Sequence, residues 1–148
     1  MMDIGLAKLE PGLDVLDEQV LAEVNALIGQ LSRTFRVVSA AGLHALLANP
    51  SIEVWVVRTR GTIIGMGSLV HLPTLTNTYA RIDDVVIDED HRGRGLGELL
   101  SRKLIDRARA RGAKGIDLTS GPDRAAANRL YRRLGFELRE SSAYRLYF

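Results

Sequence analysis

The stretch from Arg81 to Ala110 limits the fold most. RIDDVVIDED is dense in β-branched residues and reads as the end of a strand, HRGRGLG follows with glycines at 93, 95 and 97, and the next residues set Leu96, Leu99, Leu100, Leu104 and Ala108 on one helical stripe. A strand that passes through glycines directly into an amphipathic helix needs a sheet for the helix to cover. Its turn can also aim backbone N–H groups at an anion, at the positive end of the helix dipole. A diphosphate is the ligand such a turn favours. A P-loop would end in Gly-Lys-Ser/Thr, which is missing, and the glycines are out of register with GxGxxG, so Asp117 some twenty residues on is no ribose ligand by that rule.

Around this segment the pattern alternates. Ile4 to Leu9 reads as a strand, and Leu13, Leu16, Val20, Val24, Leu27, Ile28 and Leu31 predict a helix over Leu13 to Leu31. A second helix is expected from Ala40 to Ala48, stopping before Asn49-Pro50. Ile52 to Thr59 and Thr62 to Leu72 form a hairpin about Arg60-Gly61, and Tyr79 to Ile87 is the next strand. After the long helix come a strand at Gly115 to Thr119, a helix N-capped by Asp123 and ended by Gly135, and a last strand near Ala143 to Phe148. No repeat or linker divides the 148 residues, which predicts one domain over 1–148, an α/β (α+β) fold with a mixed sheet and helices on both faces.

The absence of cysteine excludes disulfides, thiolate metal sites and covalent catalysis through a thioester to the protein. His44, His71 and His91 are scattered without metal-ligand spacing, so no metal is expected. No apolar run is long enough for a membrane helix and the start lacks a signal pattern, which makes a cytoplasmic location and no membrane partner the expectation. Charge is split along the chain: residues 1–90 hold 6 basic and 12 acidic side chains, residues 91–148 hold 14 and 6. Of the 20 basic residues 17 are arginines, whose planar fork suits phosphate oxygens, so the C-terminal half is expected to face a polyanion.

Arg92-x-x-Gly95-x-Gly97, preceded by RIDDVVIDEDH and followed by ANRLYRRLGF, resembles the acetyl-CoA pyrophosphate loop, fourth strand and closing helix of the GNAT superfamily of N-acetyltransferases. The likeness runs from about Ala80 to Phe136. It implies a mostly antiparallel central sheet splayed between strands 4 and 5, with acetyl-CoA as acetyl donor. It also implies roles at matching positions: Val85, Val86 and Ile87 pairing with the pantetheine arm, Arg92, Gly93, Arg94, Gly95, Leu96 and Gly97 around the pyrophosphate, and Asn128 and Tyr131 on the cofactor. Arg94 with Arg102 or Arg132 would meet the ribose phosphate.

Acetyl transfer to an amine needs a base, because an alkyl ammonium is protonated at neutral pH. Asp84 and Asp83 are the carboxylates in the expected strand; alternation sends them to opposite faces unless a bulge intervenes, and Asp83 can instead pair with Arg81. A bulge N–H, of Val85 or Val86, would stabilise the oxyanion, and Tyr131 would protonate the departing thiolate unless it only packs on Phe136. His71 is a weaker candidate base and is expected at the surface. The expected acceptor is a small-molecule or peptide amine, cationic to suit the acidic first half, with transfer direct in a ternary complex. The strand DDVV also resembles that of glucosamine-6-phosphate acetyltransferases, although a phosphorylated sugar would want cations near the acceptor. A catalytically silent acetyl-CoA sensor and a nucleic-acid binder using the basic half are the alternatives, the latter disfavoured by few aromatics; a homodimer through the terminal strand is a further expectation.

Overall fold

The computed structural model describes residues 3–34 and 36–148, apart from the side chains of Leu13 and Leu16. The order is β1 (Ile4–Lys8), α1 (Leu13–Leu16), α2 (Glu18–Leu31), α3 (Ala40–Ala48), β2 (Ile52–Thr59), β3 (Thr62–Pro73), β4 (Thr78–Ile87), α4 (Leu96–Ala110), β5 (Ile116–Asp117) and α5 (Ala125–Arg133). The strands lie in that order across one sheet, antiparallel through β4, with β5 parallel to β4.

The helix expected over Leu13 to Leu31 is broken at Asp17, which turns extended (φ −83°, ψ 108°) and caps α2, its carboxylate accepting the Gln19 N–H at 2.9 Å. Local capping chemistry overrides the apolar period there. Leu13 and Leu16 of the expected stripe fall outside the described side chains, while Val20, Val24 and Leu27 are buried as their spacing requires. With Leu43 and Leu47 of α3 they cover one face of the sheet, against Val54, Val56, Met66 and Val86. α4 covers the other: Leu96, Leu100, Leu104 and Ala108 meet Val57, Ile64, Leu69 and Ile82. Leu99, expected on that stripe, is 40% exposed, because the strict four-residue repeat already fills the contact face.

The β2–β3 hairpin turns on Arg60 (φ 49°) and Gly61 (φ 81°), the two consecutive left-handed residues of a type I′ turn. Between β3 and β4 the register slips: Met66 faces Val86 and Ser68 faces Asp83, so Asp84 and Val85 together oppose Gly67. This is a β-bulge, and Asp84 adopts φ 55° in it. Gly67 is required opposite, since a Cβ there would sit 3.1 Å from Leu104 Cδ1 and 3.2 Å from Val85 Cγ2.

β5 pairs with β4 only at Ala80↔Ile116 and Arg81↔Asp117. The two strands then part, leaving β4 from Ile82 onward without a strand on that side. The sheet is therefore splayed between strands 4 and 5, as the sequence resemblance implies. Two expected strands come out shorter. Gly115 to Thr119 is reduced to Ile116–Asp117, and Ala143 to Phe148 forms no strand at all. A strand is maintained by ladder partners, and neither segment has one in the single chain beyond those two residue pairs. Asp123 does not cap α5, which starts without a side-chain cap; its end follows the expected glycine pattern, with Gly135 at φ 97° and the Phe136 N–H returning to the Tyr131 carbonyl at 3.0 Å.

Candidate active site

The site begins where β4 leaves β5. The bulge places Asp83 and Asp84 on a common cleft, contrary to simple strand alternation, with Leu31 from the end of α2, Thr119 after β5, and Arg124 and Tyr131 from α5 on the other walls. Asp83 is held by Arg81, Nε to Oδ2 2.7 Å. Among the described residues Asp84 has no such partner charge in contact: burial disfavours its charged form, the neighbouring Asp83 charge adds to this, and its pKa is raised above the ordinary aspartate value against the pull of Arg81. Tyr131 is 8% exposed and meets Phe136 edge-to-face at 5.8 Å between ring centres. Burial pushes its pKa above 10.0, opposed by Arg124, so its hydroxyl stays protonated at neutral pH.

The turn after β4 is fastened from both sides. Gln30 of α2 donates to Asp88 Oδ1 at 2.8 Å and accepts the Glu89 N–H at 2.9 Å, while His91 Nδ1 lies 2.8 Å from Asp88 Oδ2. His91 thus belongs to the support of the loop. Gly93 (φ 75°) and Gly95 (φ 77°) are left-handed, with open space where a side chain would begin. Gly95 is the residue before α4, which has no side-chain cap, so the first N–H groups of the helix have no side-chain acceptor at that end. Arg92 Nε donates to the Ile87 carbonyl at 2.9 Å and Arg94 Nη2 to the Asp90 carbonyl at 3.4 Å. Val85, Val86 and Ile87 lie on the stretch of β4 that β5 does not pair. An extended amide chain ending in a diphosphate fits these features: an unpaired strand edge leading to an uncapped helix start among arginines.

Other expected positions lie differently. Asn128 donates to the Gly121 carbonyl at 2.9 Å and so braces the β5–α5 loop. Arg102 is bound to Glu98 (2.7 Å), which also meets Arg133 at 3.3 Å. His71, expected at the surface, is 5% exposed and outside the cleft: its Nε2 lies 2.8 Å from Oε2 of the buried Glu53, which also takes hydrogen bonds from Arg107 (2.9 Å) and Trp55 (3.1 Å). Its strand position carries it to the α4 side of the sheet. Among the described residues no three His, Asp or Glu side chains gather as a metal would need. Sequence reasoning missed Arg124 and Thr119. A signal for Arg124 existed: it precedes Tyr131 by two helical turns and therefore shares its face.

A model of the acetyltransferase (GNAT) family matches residues 26–136. The chain belongs to the GNAT family. An uncharacterised N-acetyltransferase of Methanocaldococcus jannaschii is 41% identical over 61 residues, covering 41% of this chain, which spans only 27% of that protein's length. Glucosamine 6-phosphate N-acetyltransferase of Trypanosoma brucei brucei is 30% identical over 135 residues, 86% of this chain and 90% of that one. A crystal structure of a Trypanosoma brucei acetyltransferase superposes with a TM-score of 0.79 at 28% identity, covering 99% and 100% of the two chains. Family and fold together support acetyl transfer to nitrogen.

Proposed function

We propose that this GNAT protein moves an acetyl group from acetyl-CoA to a primary amine by direct attack, with Asp84 as base and Tyr131 as proton donor. The observation that carries the reading is the meeting of those two side chains on one cleft beside the unpaired edge of β4. Acetyl-CoA supplies the acetyl group as a thioester. Val85, Val86 and Ile87 would hold its amide arm through backbone groups, and Gly93 to Gly97 with Arg92 and Arg94 its diphosphate.

Asp84 accepts the ammonium proton, directly or through a water, and its raised pKa makes it a better base than an ordinary aspartate. The peptide N–H groups of the bulge at Val85 and Val86 are the donors nearest in sequence for charge developing on the acyl oxygen. Tyr131, kept protonated by burial, gives its proton to the departing sulfur. Without a cysteine the chain has no thiol to carry the acetyl group, which favours transfer in a ternary complex. The acceptor is an amine drawn by Asp83, Asp84 and the acidic first 90 residues; the Trypanosoma relative is named for an amino sugar phosphate, and Arg124 on the cleft wall supplies a cation that an anionic group on such an amine could meet.

The test is thermal unfolding with acetyl-CoA and with NAD, followed by CoA release with a panel of amines. A ligand at about 100 times its Kd adds roughly 2.7 kcal/mol, several degrees in Tm for a domain of this size. A rise with acetyl-CoA alone and amine-dependent CoA release support the reading. No rise rejects the donor, and a rise without CoA release from any amine favours a binding role.

A further inference from the structure

The charges on the cleft wall do not cancel in place. Arg81 neutralises Asp83 at 2.7 Å, which leaves Asp84 of β4 and Arg124 at the start of α5 as the two charges there without an ion-pair partner among the described residues. Arg124 is exposed, and not even its chain neighbour Asp123 forms a salt bridge with it. An unpaired arginine on a surface is ordinary, but this one is set apart by where it stands. Its charge reaches the buried Tyr131, where it opposes the upward push of burial on the phenol pKa.

Arg124 also stands away from the donor's diphosphate. A Cβ at Gly97 would lie 3.6 Å from Leu130 Cδ2, and Arg133 meets Glu98 at 3.3 Å, so the C-terminal half of α5 borders the start of α4. Arg124 is at the other end of α5, about 13 Å from Arg133 along the axis at roughly 1.5 Å per residue. A donor laid along Val85 to Ile87 with its diphosphate at Gly93 to Gly97 therefore leaves Arg124 to the acceptor.

We propose, resting on the acetyl-transfer reading, that the acceptor is a small amine carrying its own oxyanion, a carboxylate or a phosphate, and that Arg124 selects it. The amine is drawn to Asp84 while the oxyanion meets the planar guanidinium, and Thr119 on the same cleft adds a hydroxyl donor. Such a molecule brings one charge of each sign to a cleft that has one of each to offer, whereas a polyamine would set a second cation against Arg124. The acidic excess of residues 1–90 is a sum along the sequence; the cleft itself carries both signs.

Matched amines isolate the anionic group: 4-aminobutyrate against butylamine for a carboxylate, glucosamine 6-phosphate against glucosamine for a phosphate, with spermidine as the polycation. With acetyl-CoA, kcat/KM should favour the anionic member of at least one pair by about 10-fold or more, and the pair that does so tells carboxylate from phosphate. Arg124→Ala should bring that ratio near one, Arg124→Lys should restore part of it, and Arg124→Glu should turn preference toward spermidine, with acetyl-CoA affinity retained in each. Titration calorimetry of the same amines, with CoA present and absent, makes the result independent of turnover. A chain that releases no CoA with any amine yet binds the anionic member through Arg124 would reject the transfer reading and keep the charge selection. Equal affinity and turnover within both pairs, a preference that survives Arg124→Ala, no binding of any amine, or a loss of acetyl-CoA affinity in Arg124→Ala would each overturn it.

Discussion

At the scale of single residues, Asp84 joins two uncommon properties, a left-handed backbone (φ 55°) and a raised pKa. Asparagine tolerates that backbone nearly as well as aspartate, so Asp84→Asn removes the carboxylate and leaves the bulge intact. Turnover should fall about 100-fold or more while acetyl-CoA affinity holds, as read by steady-state kinetics and a binding titration. Stability should move the other way. A carboxyl whose folded pKa is raised contributes stability at low pH that is lost as pH rises through the folded value. Asp84→Asn should therefore raise Tm at neutral pH, with the gain disappearing below the ordinary aspartate pKa; an unchanged Tm difference across that range would contradict the shift. Tyr131→Phe keeps the contact with Phe136 and deletes only the hydroxyl, so it should slow turnover without lowering Tm by more than a degree or two. The aspartates and the tyrosine were singled out in the sequence through the family resemblance that their flanking motifs carry. Their convergence was not, because it depends on one extra residue opposite Gly67, and a bulge flanked by β-branched residues has no local signature.

At the scale of elements, two devices fix α4 to the sheet, one at each end. At its start the glycine turn is conformationally exacting: Gly95 at φ 77° has open space around it, so substitution is penalised by backbone and by what enters that space. Gly95→Asn accommodates the dihedral, whereas Gly95→Glu adds strain, bulk and negative charge where a diphosphate is proposed. Isothermal titration should find acetyl-CoA binding abolished in Gly95→Glu and retained, though weakened, in Gly95→Asn; equal affinity in a folded Gly95→Glu would remove the loop from the site. Toward its other end Arg107 and Arg111 approach the buried Glu53 at 2.9 and 3.7 Å. Burial works to raise the Glu53 pKa, but hydrogen bonds from His71, Arg107 and Trp55 outweigh it and hold it at about 2. A depressed carboxylate contributes stability above its unfolded pKa of 4.5 and loses it as pH falls toward 2. Glu53→Gln should thus cost about 2–3 kcal/mol at neutral pH and progressively less under acid, measured by urea unfolding at several pH values. This cluster was not legible in the sequence: a lone glutamate in an apolar strand reads as an exposed alternate position, and its partners His71 and Arg107 lie 18 and 54 residues away.

At the scale of the molecule, the sheet is strongly joined through β4 and weakly beyond it. β2, β3 and β4 share long antiparallel ladders, while β5 meets β4 at two residue pairs and α5 buries Tyr131 alone among its side chains, with Ile116, Leu118 and Phe136 packing in part on the core. Hairpins and long helices announce themselves by period and turn chemistry, which is why residues 52–110 were legible; the C-terminal strands were not, because their length depends on partners that spacing alone cannot supply. Opening of such a weakly joined unit should require less free energy than global unfolding, so amide hydrogens of residues 116–133 should exchange well before those of β2 and β3. A donor seated between β4 and β5 would bridge the seam, and its binding free energy would add to the cost of opening. Acetyl-CoA should therefore slow exchange in Ile116–Arg133 and the turn at Gly93–Gly97 far more than in the hairpin about Gly61. Uniform slowing across the chain would mean that the seam does not open on its own, and no slowing at β5 and α5 would place the donor elsewhere.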